Sequence, residues 1–179
     1  MKTTMNRLNI LGMAMACFTL TACVQTGKPQ STRALKGMGM VVKYSLAPGA
    51  LEKQGVSAIT DAGNEAFATA LLTQRGGGTS SIGGGTNMSF PRWVRVTWRE
   101  GVDEKAGLYW TTGTVAGDYK IEVLSRIPDE VFKYVAAAPG RVIVLKFRIK
   151  DDGVLFAWAV QEASIRGSVW VYKMQGGDF

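Results

Sequence analysis

Apolar and polar residues alternate with a period of two along much of the chain, a pattern typical of half-buried antiparallel strands. The pattern is clearest in residues 91–100, where an apolar face and a basic face alternate. The apolar face consists of Val94, Val96 and Trp98, and the opposite face of Trp93, Arg95, Thr97 and Arg99. We predict that Trp98 lies in the core, that Trp158 does so in a later strand, and that Trp93 faces outward.

The same alternation predicts further strands in residues 39–46, 55–61, 108–115, 119–125, 141–150, 154–160 and 169–174. Segment 62–74 is ambiguous, because its Ala and Leu content favours a helix while Phe67, Thr69 and Leu71 alternate as in a strand. We interpret it as a strand. The Asp151-Asp152-Gly153 turn predicts a hairpin between two apolar strands.

A change of period after Ile127 predicts one short helix. Pro128, Asp129 and Glu130 are typical of a helix start, and Val131, Tyr134, Val135 and Ala138 follow with helical spacing. Pro139 and Gly140 end the helix. The predicted fold class is therefore mainly β: an antiparallel β-sandwich or curled sheet with one short α-helix.

The first residues have the pattern of a secretory signal. Lys2 and Arg7 precede an apolar stretch too short to span a bilayer, and the stretch ends in Leu20-Thr21-Ala22-Cys23, which resembles a bacterial lipobox. We predict a signal peptide at 1–22, a lipidated Cys23 beginning a flexible tether at 23–37, and one β-rich binding domain at 38–179. The alternatives are an ordinary signal with an incidental Cys23, or modification of Cys17.

Composition argues against the commonest enzyme classes. The chain of 179 residues has no His, so it can form no Ser-His-Asp triad, Cys-His pair or His-bearing zinc site. We expect that the protein is not an enzyme and that it binds no metal or cofactor. The chain has 21 Lys and Arg against 14 Asp and Glu; removing Lys2 and Arg7 leaves 19 basic residues and a net charge of +5.

A glycine-rich stretch, residues 75–86, has two Gly triplets but lacks the Lys-Ser or Lys-Thr and the following helix of a phosphate-binding P-loop. We interpret it as a flexible or partner-contacting loop. Three acid pairs, Asp103-Glu104, Asp129-Glu130 and Asp151-Asp152, fall at predicted turns or a helix start, where acids are structural. None matches an EF-hand loop.

Basic residues on predicted outward positions form the main surface feature, namely Arg92, Arg95, Arg99, Lys146, Arg148 and Lys150. Such faces are usually solvated, although a basic surface also suits anionic lipid or an acidic protein.

Three stretches carry a family resemblance. Gly83-Gly84-Gly85 with the Phe90-to-Trp98 strand, the Ile127-to-Phe132 helix entry and the Gly153-to-Trp158 strand resemble a group of small proteobacterial lipoproteins catalogued as domains of unknown function. The resemblance covers about residues 41–179. Members of this group are found beside phospholipase effectors of the type VI secretion system. Several of them are periplasmic immunity proteins held by a lipid anchor.

The resemblance implies a lipid-anchored immunity protein that neutralises a toxic phospholipase effector by occlusion. For such a lipoprotein, an anchor on Cys23 followed by Val24 indicates that the protein is held at the periplasmic face of the outer membrane. We expect no nucleic-acid partner and no small-molecule substrate. The candidate partner-binding residues are Arg75, Gly77, Ser80, Trp93, Arg95, Arg99, Asp103 and Glu104. The alternatives are a structural or assembly lipoprotein of the envelope and, through its carboxylates alone, a small envelope hydrolase.

Overall fold

The computed structural model describes residues 38, 40–82, 90–108, 111–163 and 170–179. These residues form nine strands, one α-helix and a 3-10 helix, Leu124–Arg126. The strands are β1 (Met40–Leu46), β2 (Lys53–Thr60), β3 (Glu65–Leu72), β4 (Gly78–Ile82), β5 (Trp93–Glu100), β6 (Thr114–Glu122), β7 (Arg141–Ile149), β8 (Val154–Ala163) and β9 (Trp170–Gly177). The helix α1 is Asp129–Ala136. The mainly β fold with one short helix is confirmed.

The strands form two sheets. The five-stranded sheet has the order β4-β1-β7-β8-β9, and the four-stranded sheet has the order β3-β2-β5-β6. All neighbours are antiparallel except β1 and β7, which pair in parallel from Met40 opposite Ile143 to Leu46 opposite Ile149. This one parallel pair brings the first strand beside the basic hairpin strand β7.

The core lies between the sheets and follows the predicted alternation. In β5, Val94, Val96 and Trp98 are buried, while the intervening side chains are exposed or half-buried. In β7, Ile143, Leu145, Phe147 and Ile149 are buried. Trp158 of β8 is 6% exposed, so both tryptophans predicted for the core are there. Phe147 contacts Phe67 and Phe156, which links the two sheets through aromatic rings.

The helix begins at Asp129, with Pro128 as its N-cap residue, and its first turn contains Asp129 and Glu130. The acids therefore lie at the positive end of the helix dipole, as predicted. The buried residues Val131, Phe132 and Val135 attach the helix to the core. Phe132 was missing from the predicted face; its ring packs edge-on against Phe90 at 5.2 Å.

Three predictions about local structure were wrong. Of the predicted strand 108–115, only Thr114 and Val115 are in a strand over the described part, because β6 begins at Thr114, directly after the left-handed Gly113 (φ 76°). The predicted strand 119–125 ends at Glu122, and a 3-10 helix follows. The last strand was predicted to end at residue 174, but β9 continues to Gly177, and Gly176 lies under the Trp158 ring.

The glycine-rich stretch is also partly a strand, β4, which pairs with β1 from Met40 opposite Ile82 to Tyr44 opposite Gly78. A Cβ on Gly78 would fall 2.0 Å from the Tyr44 ring, which explains the glycine. The predicted signal peptide 1–22, Cys23, the tether 23–37, the second Gly triplet at 83–85 and Trp110 lie outside the described residues.

Candidate functional site

The outer face of the four-stranded sheet carries three of the predicted partner-binding residues. Trp93, Arg95 and Arg99 alternate with buried residues of β5 and share this face. Strand pairing places Arg95 opposite Ile59 and Lys120, and Lys120 Nζ lies 5.2 Å from the centre of the Trp93 ring. The predicted orientation of β5 is confirmed.

Arg95 is held in place by a neighbouring carboxylate. Its Nε donates a hydrogen bond to Asp118 Oδ1 at 2.6 Å, and its Nη2 donates to Oδ2 of the same group. The hydrogen bond and charge of Arg95 lower the pKa of Asp118 below its ordinary value. This two-pronged pair fixes the plane of the guanidinium and neutralises its charge.

Arg99 is anchored at the far end of the same strand, where its Nη1 donates to the Gly113 carbonyl at 3.0 Å. The following connection is shaped by Asp103, whose carboxylate accepts a hydrogen bond from the Lys105 amide at 3.0 Å. The Asp103 amide donates to Thr112 Oγ1 at 2.7 Å. Asp103 therefore has a structural role in this turn, whereas Glu104 is exposed.

Exposed apolar side chains interrupt the polar surface of this face. A single row across the four strands runs Leu71, Gln54, Arg99 and Val115. Leu71 is 48% exposed and Val115 is 45% exposed. Ile59 lies on the same face, beside Arg95. We call the outer face of the four-stranded sheet, with the connection at residues 101–113, the mixed face.

The structure does not bring all the predicted residues together. Arg75 is exposed in the connection after β3, at the same end of the sheet as Arg99 and Asp103. Trp93 is at the opposite end, about 20 Å from Arg99 along the strand. Gly77 precedes β4 and Ser80 lies within it, so both belong to the five-stranded sheet, on the other side of the sandwich.

That other side contains a cavity that the sequence did not reveal. An open basin of about 350 Å³ on the outer face of the five-stranded sheet is lined by Lys43, Ser45, Gly77, Thr79, Lys146, Arg148 and Phe179, among others. We call it the basic basin. Lys146 and Arg148 were predicted to face outward, but Lys43 was not singled out, because it is the only charged residue in the apolar β1.

Aromatic rings surround the cations of the basic basin. Lys43 Nζ donates to the Tyr172 hydroxyl at 3.2 Å, and Lys146 Nζ lies 5.0 Å from the centre of the Tyr172 ring. Burial raises the pKa of Tyr172, but the hydrogen bond from Lys43 and the two lysine charges outweigh burial and lower it. Arg148 Cζ lies 3.9 Å from the centre of the Phe179 ring.

No carboxylate side chain neutralises these cations. All 14 Asp and Glu of the chain fall within the described residues, and seven ion pairs join Asp61, Asp118, Glu122, Asp151, Asp152, Glu162 and Asp178 to Lys or Arg. None of the seven pairs includes Lys43, Lys146 or Arg148. Acids neutralise other cations that were predicted on outward faces, such as Arg95 by Asp118 and Lys150 by Asp152.

Within the described ranges, the acid pairs form no metal centre. Asp151 receives a hydrogen bond from the buried Lys53 and one from the Leu51 amide, which lowers its pKa. Across the described ranges, no three acidic or Cys side chains lie close enough together to hold a metal ion. In the same ranges, no helix is long and apolar enough to cross a membrane.

Comparison with known proteins adds no relative: no protein-family model, curated protein or solved structure matches the chain.

Proposed function

We propose that the protein is a lipid-anchored immunity protein that binds a type VI secretion phospholipase effector in the periplasm and blocks it by occlusion. The observation that supports a binding function best is the mixed face. It combines an aromatic ring, two anchored guanidinium groups and exposed apolar side chains on a rigid sheet. Interfaces are enriched in Trp and Arg, which often contribute most of the binding energy.

The mixed face alone is too small to form a stable interface. Four strands about 4.8 Å apart and eight residues long cover roughly 500 Å² of sheet, whereas a stable complex buries about 800 Å² on each partner. The adjoining connections must therefore take part. Arg75 and Glu104 lie in the connections beside Arg99, which supports a contact that runs from the sheet onto these connections.

Occlusion suits a surface that is already ordered. Arg95 loses little side-chain entropy on binding, because Asp118 holds it beforehand. Trp93 offers a large, half-buried ring beside Lys120. A partner that packs on the ring and carries an acidic group toward Arg99 would lose access to its own substrate cleft.

The first test is whether the gene beside this one encodes a lipase, and the second uses that lipase as the probe. Wild-type protein should be recovered with the lipase in a pull-down and should protect cells that express it in the periplasm. Trp93→Ala should weaken binding at least tenfold, as expected for a Trp side chain that packs in an interface. Tyr172→Ala, which removes an exposed aromatic from the opposite side of the sandwich, is the matched control and should bind normally.

Two outcomes would refute this proposal. Failure of the wild-type chain to bind the lipase or to protect cells would favour an assembly lipoprotein of the envelope. Equal loss in Trp93→Ala and Tyr172→Ala would exclude the mixed face as the contact. Lipid or glycan turnover by the purified chain, lost on Asp103→Asn, would instead favour a hydrolase.

The anchor is proposed separately and has its own test. Acylation of Cys23 would hold the domain at the membrane, where a phospholipase acts, and would raise its local concentration. Cys23→Ser should move the protein from the membrane fraction to the soluble periplasm. Membrane residence of Cys23→Ser would contradict the anchor, whatever the result with the lipase.

A further inference from the structure

The pairing of β1 with β7 places like charges side by side. Lys43 is directly opposite Lys146, and Ser45 is directly opposite Arg148. Like charges in directly opposed positions destabilise a sheet. The chain nevertheless places three cations here, on neighbouring strands about 4.8 Å apart, while its carboxylates lie elsewhere.

We propose that the basic basin is a binding site for a phosphate group. All three cations line one cavity, which distinguishes them from solvated charges scattered on a strand face. A volume of about 350 Å³ falls in the range of small-ligand pockets and accommodates a phosphate with a small organic group attached. This site is independent of the proposed immunity function.

The lining supplies the donors that a phosphate needs. Arg148 lies against the Phe179 ring, which limits the positions of its planar fork of N–H groups, and such forks match phosphate oxygens. Lys43 and Lys146 add two compact charges. The hydroxyls of Ser45 and Thr79 line the same cavity and supply neutral donors.

Gly77 keeps one side of the basic basin open. A Cβ at this position would lie 3.0 Å from the Tyr44 carbonyl oxygen and 3.6 Å from Ser45 Cβ. Any larger side chain would crowd the polar lining beside Ser45. The glycine-rich stretch therefore contributes to the site by leaving space beside β4. It does not contribute the ring of backbone amides that binds phosphate in a P-loop.

The number of charges favours phosphate over carboxylate. Three cations that form no ion pair with Asp or Glu attract a doubly charged phosphate monoester more strongly than a singly charged carboxylate. A phosphate group reaches such a surface from two sources, a phospholipid headgroup or a free phosphate compound. A headgroup is a singly charged diester, whereas free phosphate and monoesters are largely doubly charged at neutral pH.

The test is calorimetric titration of the full chain at low salt with four probes: inorganic phosphate, glycerol 3-phosphate, glycerophosphoglycerol and acetate. We expect saturable millimolar or tighter binding of at least one phosphate probe, and weaker binding of acetate. Tighter binding of glycerophosphoglycerol would identify a lipid headgroup as the source, and tighter binding of either of the other two would identify a free phosphate compound. Absence of saturable binding by all three phosphate probes would overturn the proposal.

Variants separate a built site from a general effect of net charge. Lys146→Gln should weaken phosphate binding about tenfold, the effect of losing one charge-assisted hydrogen bond. Lys120→Gln removes the same charge from the mixed face and should leave binding unchanged, while Lys146→Arg should retain it. Equal losses in Lys146→Gln and Lys120→Gln, or acetate binding as tight as phosphate, would contradict a phosphate site.

Discussion

The mixed face and the outer face of the five-stranded sheet carry similar sequence patterns but different electrostatics. Arg95 and Arg99 alternate with apolar residues in β5, just as Lys146 and Arg148 do in β7. On the mixed face, Asp118 of the neighbouring strand neutralises Arg95. In the basic basin, the residue opposite Lys146 is another lysine, Lys43.

The difference shows that alternation determines which face a cation occupies, while strand order determines what surrounds it. β5 pairs with β6, which follows it in sequence and contains Asp118. β7 pairs with β1, which is about a hundred residues away in the chain. A surface that looks basic in sequence is therefore neutralised in one sheet and remains positively charged in the other.

The largest expected effect comes from glycines that meet aromatic rings in the two sheets. A Cβ on Gly117 would lie 2.0 Å from the ring of Trp98, which is 3% exposed and stacked on Tyr119. We expect Gly117→Val to destabilise the protein by about 3 kcal/mol. Gly78→Val should cost less, because it meets the outer end of the half-buried Tyr44 ring.

Denaturant unfolding measures the free energy of unfolding of both glycine variants. Gly107→Ala is the control, since its Cβ would have no atom within 4 Å. A smaller loss for Gly117→Val than for Gly78→Val would show that the core beneath the mixed face is the more adaptable of the two.

The ion pair between the sheets gives the second prediction. Lys53 of the four-stranded sheet has a side chain only 8% exposed, and it donates to Asp151 in the turn between β7 and β8. Asp151→Asn should lower the Tm more than Lys53→Met does, because the first change leaves a buried cation without its counter-charge. Lys53→Met keeps the packing and should cost less than about 1 kcal/mol. Thermal unfolding at pH 7 that reverses this order would contradict the role of Asp151.

The third prediction concerns the pH dependence of the mixed face. The hydrogen bond from Arg95 lowers the pKa of Asp118, so the pair stabilises the fold above the ordinary aspartate value of 3.8 and loses this effect as the pH falls through the lowered pKa. Asp118→Asn should therefore reduce stability at pH 7 but reduce it less at pH 3.

Lys146→Gln is the control for this pH profile, since Lys146 is in none of the ion pairs that Asp and Glu form in the described residues. Denaturant unfolding from pH 7 to pH 3 should give Lys146→Gln the same slope as the wild type. An equal change of slope in both variants would argue that net charge alone sets the acid sensitivity.

The smallest expected effect is a gain of stability. Lys146→Gln removes repulsion with Lys43 and Arg148, and it should stabilise the unliganded protein by about 0.5 kcal/mol at low salt. The gain should disappear as salt is added. Destabilisation by Lys146→Gln under these conditions would show that the three cations do not repel one another appreciably.

The sequence predicted the elements whose patterns are local. β5, β7 and β8 alternate strongly, and their strands were predicted from that alternation, with the buried face of β5 predicted residue by residue. β4 was missed because Gly78 and Thr79 show no apolar alternation, and Gly-rich segments are typical of turns. Its strand pairing depends on the fit of Gly78 beside Tyr44, which is a tertiary contact.

The candidate sites also differ in how much of each could be predicted from the local sequence pattern. Trp93, Arg95 and Arg99 could be placed on one face from the period of β5 alone. The anchoring of Arg95 could not, because Asp118 belongs to another strand and a bulge shifts the register between Trp98 and Arg99. The basic basin required the parallel β1–β7 pairing, and nothing in the local pattern around Lys43 indicates that partner.

The central position of β1 also affects how the chain folds. β1 lies between β4 and β7, and β7 follows it by about a hundred residues, so the five-stranded sheet closes only after a long loop has been ordered. Such distant pairing slows folding to about the millisecond-to-second range of sandwich proteins. Until β7 is in place, the edge of β1 that it covers presents unpaired backbone groups that other chains could pair with.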